Sequence, residues 1–198
     1  AMSWRDEDGN FWLFGGQGYD TSWNWYEYGD LWKFDGEDWT WVSGPQNTFQ
    51  APVYGTLGQF GAANTPGSRS DACTTLDDQG DLWLFGGYYY DANAGWEMVH
   101  LTDLWKFNGS QWAWMGGSQD KDILGVFGTK GIYAAENTPP SLKDCSLFAT
   151  ADDEIILFGG RIIDDSTGYE YVYYDAPDGV LNLANGLGFL DTADLMQI

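Results

Sequence analysis

The feature that most constrains this chain is an internal repeat with a period of about 73 residues. The apolar stretch Phe11–Gly16 returns as Leu82–Gly87 and as Ile155–Gly160, at offsets of 82 − 11 = 71 and 155 − 82 = 73. A second stretch, Asp30–Gly36, returns as Asp103–Gly109 at an offset of 103 − 30 = 73. A fixed period of this kind means that each unit is one supersecondary structure, which buries its apolar faces against its neighbours.

Each unit is predicted to contain four short strands, so the chain is predicted to be all-β. The first strand covers residues 1–5, 72–76 and 145–150, and a turn rich in Asp and Gly then leads into an apolar second strand that ends at a Gly pair. The third strand has the pattern Asp-Leu-Trp-Lys-Phe. Asp35-Gly36 or Asn108-Gly109 follows as the two-residue hairpin signal before a Trp-x-Trp strand. A repeated four-stranded meander is typical of the blades of a β-propeller.

The apolar strand ending in Gly-Gly, the aromatic third strand and the Trp near the start of the fourth strand closely resemble the kelch repeat, over the whole chain. The resemblance implies a kelch-type β-propeller with blades at residues 1–71 and 72–144 and an incomplete blade at 145–198. The usual kelch repeat has about 50 residues. The extra length lies in two loops per blade, residues 17–29 and 44–71 in the first, and is similar to that of extended kelch repeats in large, often extracellular, microbial proteins. Kelch propellers serve mostly as interaction modules and only occasionally as enzymes.

The third unit departs from the repeat. Asp194–Met196 matches Asp103–Trp105 at an offset of 194 − 103 = 91, so the loop at 161–189 is 91 − 73 = 18 residues longer than its counterparts. About 198/73 = 2.7 blades are present, whereas a closed propeller has at least four. Because an open ring exposes strand edges and apolar faces, we expect a segment of a larger closed propeller. Two chains joined in one six-bladed ring are the alternative.

The charge of the chain excludes several classes of partner. It has 8 Lys and Arg against 30 Asp and Glu, a formal net charge of 8 − 30 = −22. Binding to nucleic acid or to anionic membrane surfaces is driven mainly by Lys and Arg, so neither role is expected. The sequence also has no apolar stretch long enough to insert into a membrane.

The sequence shows no catalytic constellation, and we therefore do not expect an enzyme. A copper centre of the kind found in kelch-type oxidases needs two histidines, but His100 is the only one, and we expect it to be a solvent-facing loop residue. Calcium is the one cofactor that stays open. Its candidate oxygen ligands in the loop at 161–189 are Asp164, Asp165, Glu170 and Asp175. The acidic stretch Asp6–Asn10 is predicted to be a hairpin turn instead.

Aromatic residues are concentrated in the three loops that join second and third strands. By the phase of the repeat, all three loops emerge on the same face of the predicted disc. Their side chains could stack on sugar rings or bind a partner protein, or else pack among themselves as loop filling. The candidate binding residues are Trp23, Trp25, Tyr26, Tyr89, Trp96, Tyr171 and Tyr173.

Two further features have a weaker bearing on function. Cys73 corresponds to Ser146, and Cys145 corresponds to Ala72. The two cysteines are therefore predicted to be small core residues that point to opposite faces of equivalent strands, without a disulfide. Asn108 begins an Asn-Gly-Ser glycosylation sequon at a hairpin tip, which favours secretion.

We interpret the chain as a non-catalytic protein–protein interaction or structural module, in assembly or adhesion, within a larger extracellular or cell-surface protein. Its expected partners are another protein or the other chains of an assembly. The alternative is a carbohydrate-binding or carbohydrate-active propeller that uses the aromatic loops. An intracellular adaptor role is less expected, because such chains usually have further domains, and none is visible here.

Overall fold

The structure, a computed structural model, describes residues 1–132, 134–150, 154–164, 169–172, 180–182 and 188–190, with side chains described as far as residue 161. These residues form an all-β structure of three four-stranded antiparallel sheets and two separate hairpins. The first sheet contains β1 (Met2–Arg5), β2 (Phe11–Tyr19), β3 (Trp25–Phe34) and β4 (Trp39–Ser43). Within the described residues no helix is long and apolar enough to cross a bilayer.

The second unit repeats this arrangement with an extra hairpin between its second and third sheet strands. Its elements are β5 (Cys73–Leu76), β6 (Leu82–Phe85), β7 (Tyr88–Asp91), a 3₁₀ turn (Ala92–Ala94), β8 (Glu97–His100), β9 (Leu104–Phe107) and β10 (Trp112–Gly116). The sheet order is β5-β6-β9-β10, while β7 pairs with β8. The four predicted strands of these two units are therefore confirmed.

The third unit contains β11 (Ser146–Ala149), β12 (Ile155–Phe158), β13 (Arg161–Asp164), β14 (Tyr169–Val172), β15 (Val180–Asn182) and β16 (Gly188–Leu190). The order β11-β12-β15-β16 places β15 beside β12, where the repeat offset predicts Asp194–Met196. Residues 194–196 lie outside the described part of the chain. The prediction of one long loop at 161–189 was wrong, because its apolar segments Ile162-Ile163 and Val180-Leu181 pair as strands.

The predicted loops between second and third strands are β-hairpins rather than loops. In the first unit, β2 and β3 stay paired from Phe11↔Phe34 out to Tyr19↔Trp25, beyond a register shift between Phe14 and Gly16. The Tyr- and Trp-rich sequences favour extended backbone, so the aromatic segments form regular antiparallel ladders. Three of these hairpins are present: the outer part of β2–β3, which we call hairpin 1, β7–β8, called hairpin 2, and β13–β14.

Aspartates build the turns between first and second strands, as the sequence predicts. Asp6 accepts hydrogen bonds from the backbone N–H of Asn10 (2.8 Å) and from the Trp12 indole (2.8 Å). Asp77 accepts the same pair from Asp81 (2.9 Å) and Trp83 (2.8 Å). Side-chain acceptors of this kind satisfy turn backbone that strand pairing leaves unpaired, so the acidic residues at these turns have a structural use.

Two apolar layers join the three sheets face to face. Successive side chains of a strand point to opposite faces, and all four residues of β6 are buried. Leu82 and Leu84 pack with Phe14 and other residues of the first sheet, whereas Trp83 and Phe85 pack with the third sheet. The middle sheet is therefore buried on both faces, and its first strand contacts the first strands of both neighbours.

The Gly pair that ends each second strand is required by the chain that leads into the next unit. Gly15 (φ 55°) and Gly86 (φ 64°) both adopt left-handed backbone, which is costly for residues with a side chain. A Cβ on Gly15 would lie 2.8 Å from the carbonyl oxygen of Arg69. The next glycine, Gly16, donates to that same oxygen at 2.9 Å, and Gly87 donates to Leu142 at 2.8 Å. The motif is thus the contact between the end of each second strand and the segment that leads into the next unit.

Arg69, in the segment that leads into the second unit, forms a buried ion pair with Asp103 of that unit. Both Arg69 and Asp103 have fully buried side chains, and the guanidinium binds both carboxylate oxygens, Nη1 to Oδ1 at 2.7 Å and Nη2 to Oδ2 at 3.0 Å. Arg69 Nη1 also donates to the carbonyl of Gly86 (2.9 Å), and the Trp105 indole donates to Asp103 Oδ2 (2.8 Å). The pair therefore ties the start of β5 to the Gly pair and to β9.

The prediction that the cysteines do not pair was wrong. Cys73 and Cys145 form a disulfide, with Cα atoms 5.4 Å apart, that joins the first residue of β5 to the residue just before β11. The position of a residue in the repeat predicts the direction of its side chain within its own sheet, but it does not predict how two sheets approach each other. These strands belong to two sheets in contact, and Cys145 follows Asp144, whose φ of 53° turns the chain before β11 begins. The disulfide therefore links two sheets that also share an apolar layer.

Candidate functional site: the aromatic hairpin surface

The tip of hairpin 1 is built on Asp20. Asp20 Oδ1 accepts the backbone N–H groups of Ser22 (2.8 Å) and Asn24 (2.9 Å), and Oδ2 accepts the Tyr26 hydroxyl at 3.2 Å. This turn holds Trp23 beside Tyr19, with ring centroids 6.2 Å apart. The two aromatic rings are therefore presented on a fixed turn rather than on a free loop.

The tip of hairpin 2 is built in the same way on Asp91. Its carboxylate accepts the backbone N–H of Asn93 at 2.9 Å, and its carbonyl accepts that of Trp96 at 2.9 Å. Lys121 forms an ion pair with the Asp91 carboxylate. Trp96 lies one repeat from Trp23, at an offset of 96 − 23 = 73, and each of the two tryptophans lies in the tip of its hairpin.

The two hairpins meet through aromatic side chains. Trp25 packs edge to face on Tyr90, with centroids 4.8 Å apart, and Phe49 packs edge to face on Trp96 at the same distance. Trp25 and Phe49 are themselves 5.3 Å apart. Edge-to-face pairs at these distances are each worth about 0.5–1.5 kcal/mol beyond the area they bury. We call this set of residues, with Gln17, Tyr19 and Trp23, the aromatic hairpin surface.

Gln17 connects the two hairpins by polar contacts. Its Nε2 donates to the Tyr88 hydroxyl at 2.5 Å, and its Oε1 accepts the Trp25 indole N–H at 2.9 Å. Together with Tyr19, Trp25, Tyr90 and Trp96 it lines an open cleft of about 400 Å³. That volume lies within the range of small-molecule sites, about 300–1,000 Å³.

Backbone strain supports the exposed rings. Trp23 and Trp96 have φ values of 63° and 68°, in the left-handed region that large side chains rarely adopt. Trp23 is 83% exposed and Trp96 is 54% exposed. Holding a large aromatic ring in water on left-handed backbone lowers the stability of the fold. Backbone outliers of this kind concentrate at functional sites.

Tyr89 and His100 do not belong to this surface. Tyr89 lies in a buried cluster with Val99 and Leu101, under the ammonium group of Lys121. The prediction that His100 faces solvent was wrong: it ends β8, is buried, and its backbone N–H and Nδ1 contact Asp122 at 2.7 and 3.1 Å. The segment after β10 folds back across hairpin 2, where Lys121 lies over Tyr89 and Asp122 contacts His100. The hydrophobicity of the sequence does not predict this burial.

Candidate residues of the third unit are placed only by their backbone. Tyr171 lies in β14 opposite Ile162, and Tyr173 lies outside the described residues. Of the calcium candidates, Asp164 ends β13, and Glu170 lies in β14 opposite Ile163. Asp165 and Asp175 lie outside the described residues. Among the residues that the structure describes, no group of three or more His, Cys, Asp or Glu is placed to hold a metal ion.

Asn108 lies at the exposed tip between β9 and β10. Its Oδ1 accepts the backbone N–H groups of Ser110 (3.1 Å) and Gln111 (2.9 Å), so the residue is also required by the turn. Asp35 has the same role in the first unit, where it accepts from Glu37 and Asp38, both at 2.9 Å. Glycosylation of Asn108 stays a prediction.

Sequence reasoning missed Phe49 and Gln17. Phe49 belongs to the long segment after β4, and its backbone N–H donates to the Glu27 carbonyl at 3.0 Å, which brings its ring under Trp96. The counterpart of Phe49 is Asp122, so the repeat gives no aromatic signal at this place. Gln17 has a polar side chain among aromatics, which could have marked it as a candidate hydrogen-bonding group.

Glu27 is a buried carboxylate at the junction of the two hairpins. It is fully buried, its Oε2 accepts the backbone N–H of Tyr90 at 2.9 Å, and its Oε1 has no hydrogen-bond partner among the described residues. Burial raises the pKa of Glu27 from 4.5 to about 7, against the opposing effect of the Tyr90 bond. Between about pH 4.5 and 7 we therefore expect the folded chain to hold a proton at Glu27 that the unfolded chain releases.

This proton makes stability depend on pH. Because the pKa is raised on folding, Glu27 contributes stability that is present below about pH 4.5 and is lost as pH rises through about 7. We expect Glu27→Gln to become progressively more stable than the wild type as pH increases from about 5 to about 8, as measured by urea unfolding. The exposed Glu97→Gln serves as control. A constant difference between wild type and Glu27→Gln over this range would contradict the prediction.

No protein-family model matches the chain, and no curated protein matches it.

Proposed function

We propose that this chain is part of a kelch-type β-propeller and that the aromatic hairpin surface is a non-catalytic interaction surface for a partner protein. The kelch assignment is supported by the period of 73 residues, by the Gly pair that contacts the segment leading into the next unit, and by the sheets that pack face to face with their first strands in contact. In a propeller such first strands surround the axis, and the hairpins emerge on one face.

One observation supports the interaction role above the others: tryptophans at positions 23 and 96, one repeat apart, are both exposed on left-handed backbone. Aromatic residues packed as loop filling would be buried instead. Trp and Tyr give the largest contact energies at protein interfaces, and the rigid turns around Asp20 and Asp91 reduce the entropy lost on binding.

We further propose that the protein acts outside the cell or at its surface. The Cys73–Cys145 disulfide supports this location, because disulfides persist mainly in oxidising compartments. The high negative charge favours solubility and a partner with a neutral or basic surface.

Replacing both exposed tryptophans tests the proposal. We expect Trp23→Asn with Trp96→Asn to lose at least about tenfold in affinity for a partner isolated from the surface or secreted fraction of the source organism, since interface Trp residues commonly contribute 2 kcal/mol or more. Asn tolerates left-handed backbone, which offsets part of the loss of the Trp96–Phe49 contact, so the double variant should stay folded, as thermal unfolding will show. Partner binding can be measured by biolayer interferometry. Undiminished binding by a folded double variant would refute the proposed surface.

A second candidate function, carbohydrate binding, is favoured by the cleft beside Gln17. Its walls combine exposed aromatic rings with an amide group, a combination suited to the apolar face and the hydroxyls of a neutral sugar. A glycan array distinguishes the two functions. Array binding that is lost in Trp25→Ala and Trp96→Asn would favour the sugar, and a protein partner lost on the same changes would favour the protein interface.

A further inference from the structure

A cleft of about 250 Å³ lies between the first two units, at the end of the sheets opposite the aromatic hairpin surface. β2 runs from the turn beside this cleft to Tyr19 in hairpin 1. The first unit contributes residues 6–8 of that turn to the cleft, and the second unit contributes Gln79 and Gly80 of the equivalent turn. The volume is just below the range of sites for drug-sized ligands, about 300–1,000 Å³, so the cleft suits a small ligand.

One side of the cleft is aromatic. Trp4 and Trp12 stack with nearly parallel rings, their centroids 5.8 Å apart, and Phe107 packs edge to face on Trp12 at 6.0 Å. Trp12 and Phe107 are buried, whereas Trp4 is only partly buried against the same apolar layer. The ammonium group of Lys33 already lies over the Trp12 ring, with Nζ 5.3 Å from its centroid. The Trp4 ring is therefore the aromatic surface that a ligand in the cleft can reach.

Both sides of the cleft belong to the first two units. Trp4 and Trp12 are opposite each other in the β1–β2 ladder, so their side chains point to the same face of the first sheet. That face packs on Leu82 and Leu84 of β6 in the second sheet. A further unit against the other face of the first sheet would leave the cleft as it is.

The turn residues that line the cleft are acidic. Glu7 and Asp8 are exposed, and neither forms an ion pair with any residue that the structure describes. Asp6 is used by the turn itself, through its hydrogen bonds to Asn10 and Trp12. Among the described residues that line the cleft there is no Lys or Arg. The cleft therefore combines an accessible indole ring and two carboxylates with no cation of its own.

The second unit shows how this fold holds an ammonium group. Nζ of Lys106 lies 5.1 Å from the centroid of the Trp83 ring and pairs with the carboxylates of Asp77 (2.9 Å) and Asp81 (3.0 Å). The face of an indole ring and a carboxylate both attract a cation, and the attraction grows as water is removed. A tryptophan ring beside two carboxylates is therefore an arrangement that binds an alkylammonium group in this protein.

We propose that the cleft between the first two units binds a small organic cation through its alkylammonium group. The group lies against the Trp4 ring, with the carboxylates of Glu7 and Asp8 at the mouth of the cleft. The neutral amide of Gln79 is available to a hydroxyl or N–H of the same ligand. The site lies at the opposite end of the sheets from the aromatic hairpin surface, so each can fail without the other.

Saturation-transfer NMR with choline as the probe tests the proposal on the whole chain. The control probe is the neutral alcohol in which a carbon atom replaces the choline nitrogen, because it has the same shape without the charge. We expect saturable binding of choline, and binding of the neutral alcohol that is at least about tenfold weaker. Absence of saturable choline binding, or equal binding of the two probes, would overturn the proposal.

Two matched double variants locate the site. Glu7→Gln with Asp8→Asn removes the carboxylates at the mouth and should weaken choline binding about fivefold. Both side chains are exposed, so this variant should fold, as its circular dichroism will show. Glu37→Gln with Asp38→Asn removes the same charge from the exposed turn between β3 and β4 and should leave choline binding unchanged. Equal effects of the two variants would show that choline responds only to net charge, and would overturn the site.

A lysine peptide distinguishes a small molecule from the side chain of a partner protein. The probe is Gly-Lys-Gly with both ends blocked, which presents one alkylammonium group on a peptide backbone. We expect it to bind more weakly than choline, because the small cleft has to accommodate the flanking backbone as well. Tighter binding of the peptide would make the ligand a lysine of another protein and would overturn the assignment to a small organic cation.

Discussion

Replacing Arg69 by alanine is expected to lower the free energy of unfolding by about 3–5 kcal/mol. The change leaves the fully buried Asp103 carboxylate without its cation, and an unpaired charge inside a protein is strongly unfavourable. It also removes the donors to the carbonyls of Gly86 and Pro66. Chemical denaturation measures the effect, with the exposed Arg5→Ala as control, for which a change within about 0.5 kcal/mol is expected.

The same pair predicts a non-additive double variant. Asp103→Ala should cost about as much as Arg69→Ala, whereas changing both residues should cost less than the sum, because the second change removes the charge that the first left unpaired. Arg69→Lys should not rescue stability, since an ammonium group cannot bind both carboxylate oxygens and the Gly86 carbonyl in the same plane. Additive effects of the two alanine changes would show that the pair does not act as a unit.

Removal of the disulfide is expected to destabilise the protein by about 4 kcal/mol, given that it closes a loop of 145 − 73 = 72 residues. Cys73→Ser with Cys145→Ser should therefore unfold at a markedly lower urea concentration. A reducing agent should shift the wild type toward the same midpoint and leave the double variant unchanged. Equal midpoints for oxidised wild type and double variant would contradict the crosslink.

The predicted strands and turns were confirmed where a short-range rule decides them. Asp35-Gly36 and Asn108-Gly109 lie at the turns between β3 and β4 and between β9 and β10, where their sequences place a turn. The predicted two-residue length was wrong, because residues 35–38 separate the paired Phe34 and Trp39, and residues 108–111 separate Phe107 and Trp112. Successive side chains of a strand point to opposite faces of the sheet. Leu84 and Phe85 of β6 therefore lie in opposite apolar layers, as this rule predicts.

The failed predictions concern contacts between distant segments. The disulfide depends on how two sheets approach one another, and the burial of His100 depends on Asp122, 22 residues further along. Neither contact leaves a local pattern. For the candidate site, the sequence indicated Trp23, Trp25 and Trp96, but it could not indicate Phe49, because the repeat has Asp122 at that position.

The negative charge has a local explanation in part. Asp6, Asp20, Asp35, Asp77 and Asp91 each accept backbone N–H groups at a turn or hairpin tip. Asp103 neutralises the buried Arg69. Acidic side chains are therefore used repeatedly to build turns and to hold the strands around them, and their exposed charge follows from that use.

One comparison of two pairs of exposed tryptophans tests the aromatic hairpin surface most directly. Partner binding is measured on the wild type, on the Trp23→Asn/Trp96→Asn variant and on the Trp39→Ser/Trp41→Ser variant, whose changes lie in β4, outside that surface. We predict that the first variant loses partner binding and that the second keeps it. Retention of partner binding by the first variant, or its loss in the second with the fold intact, would contradict the assignment of the aromatic hairpin surface as the interaction site.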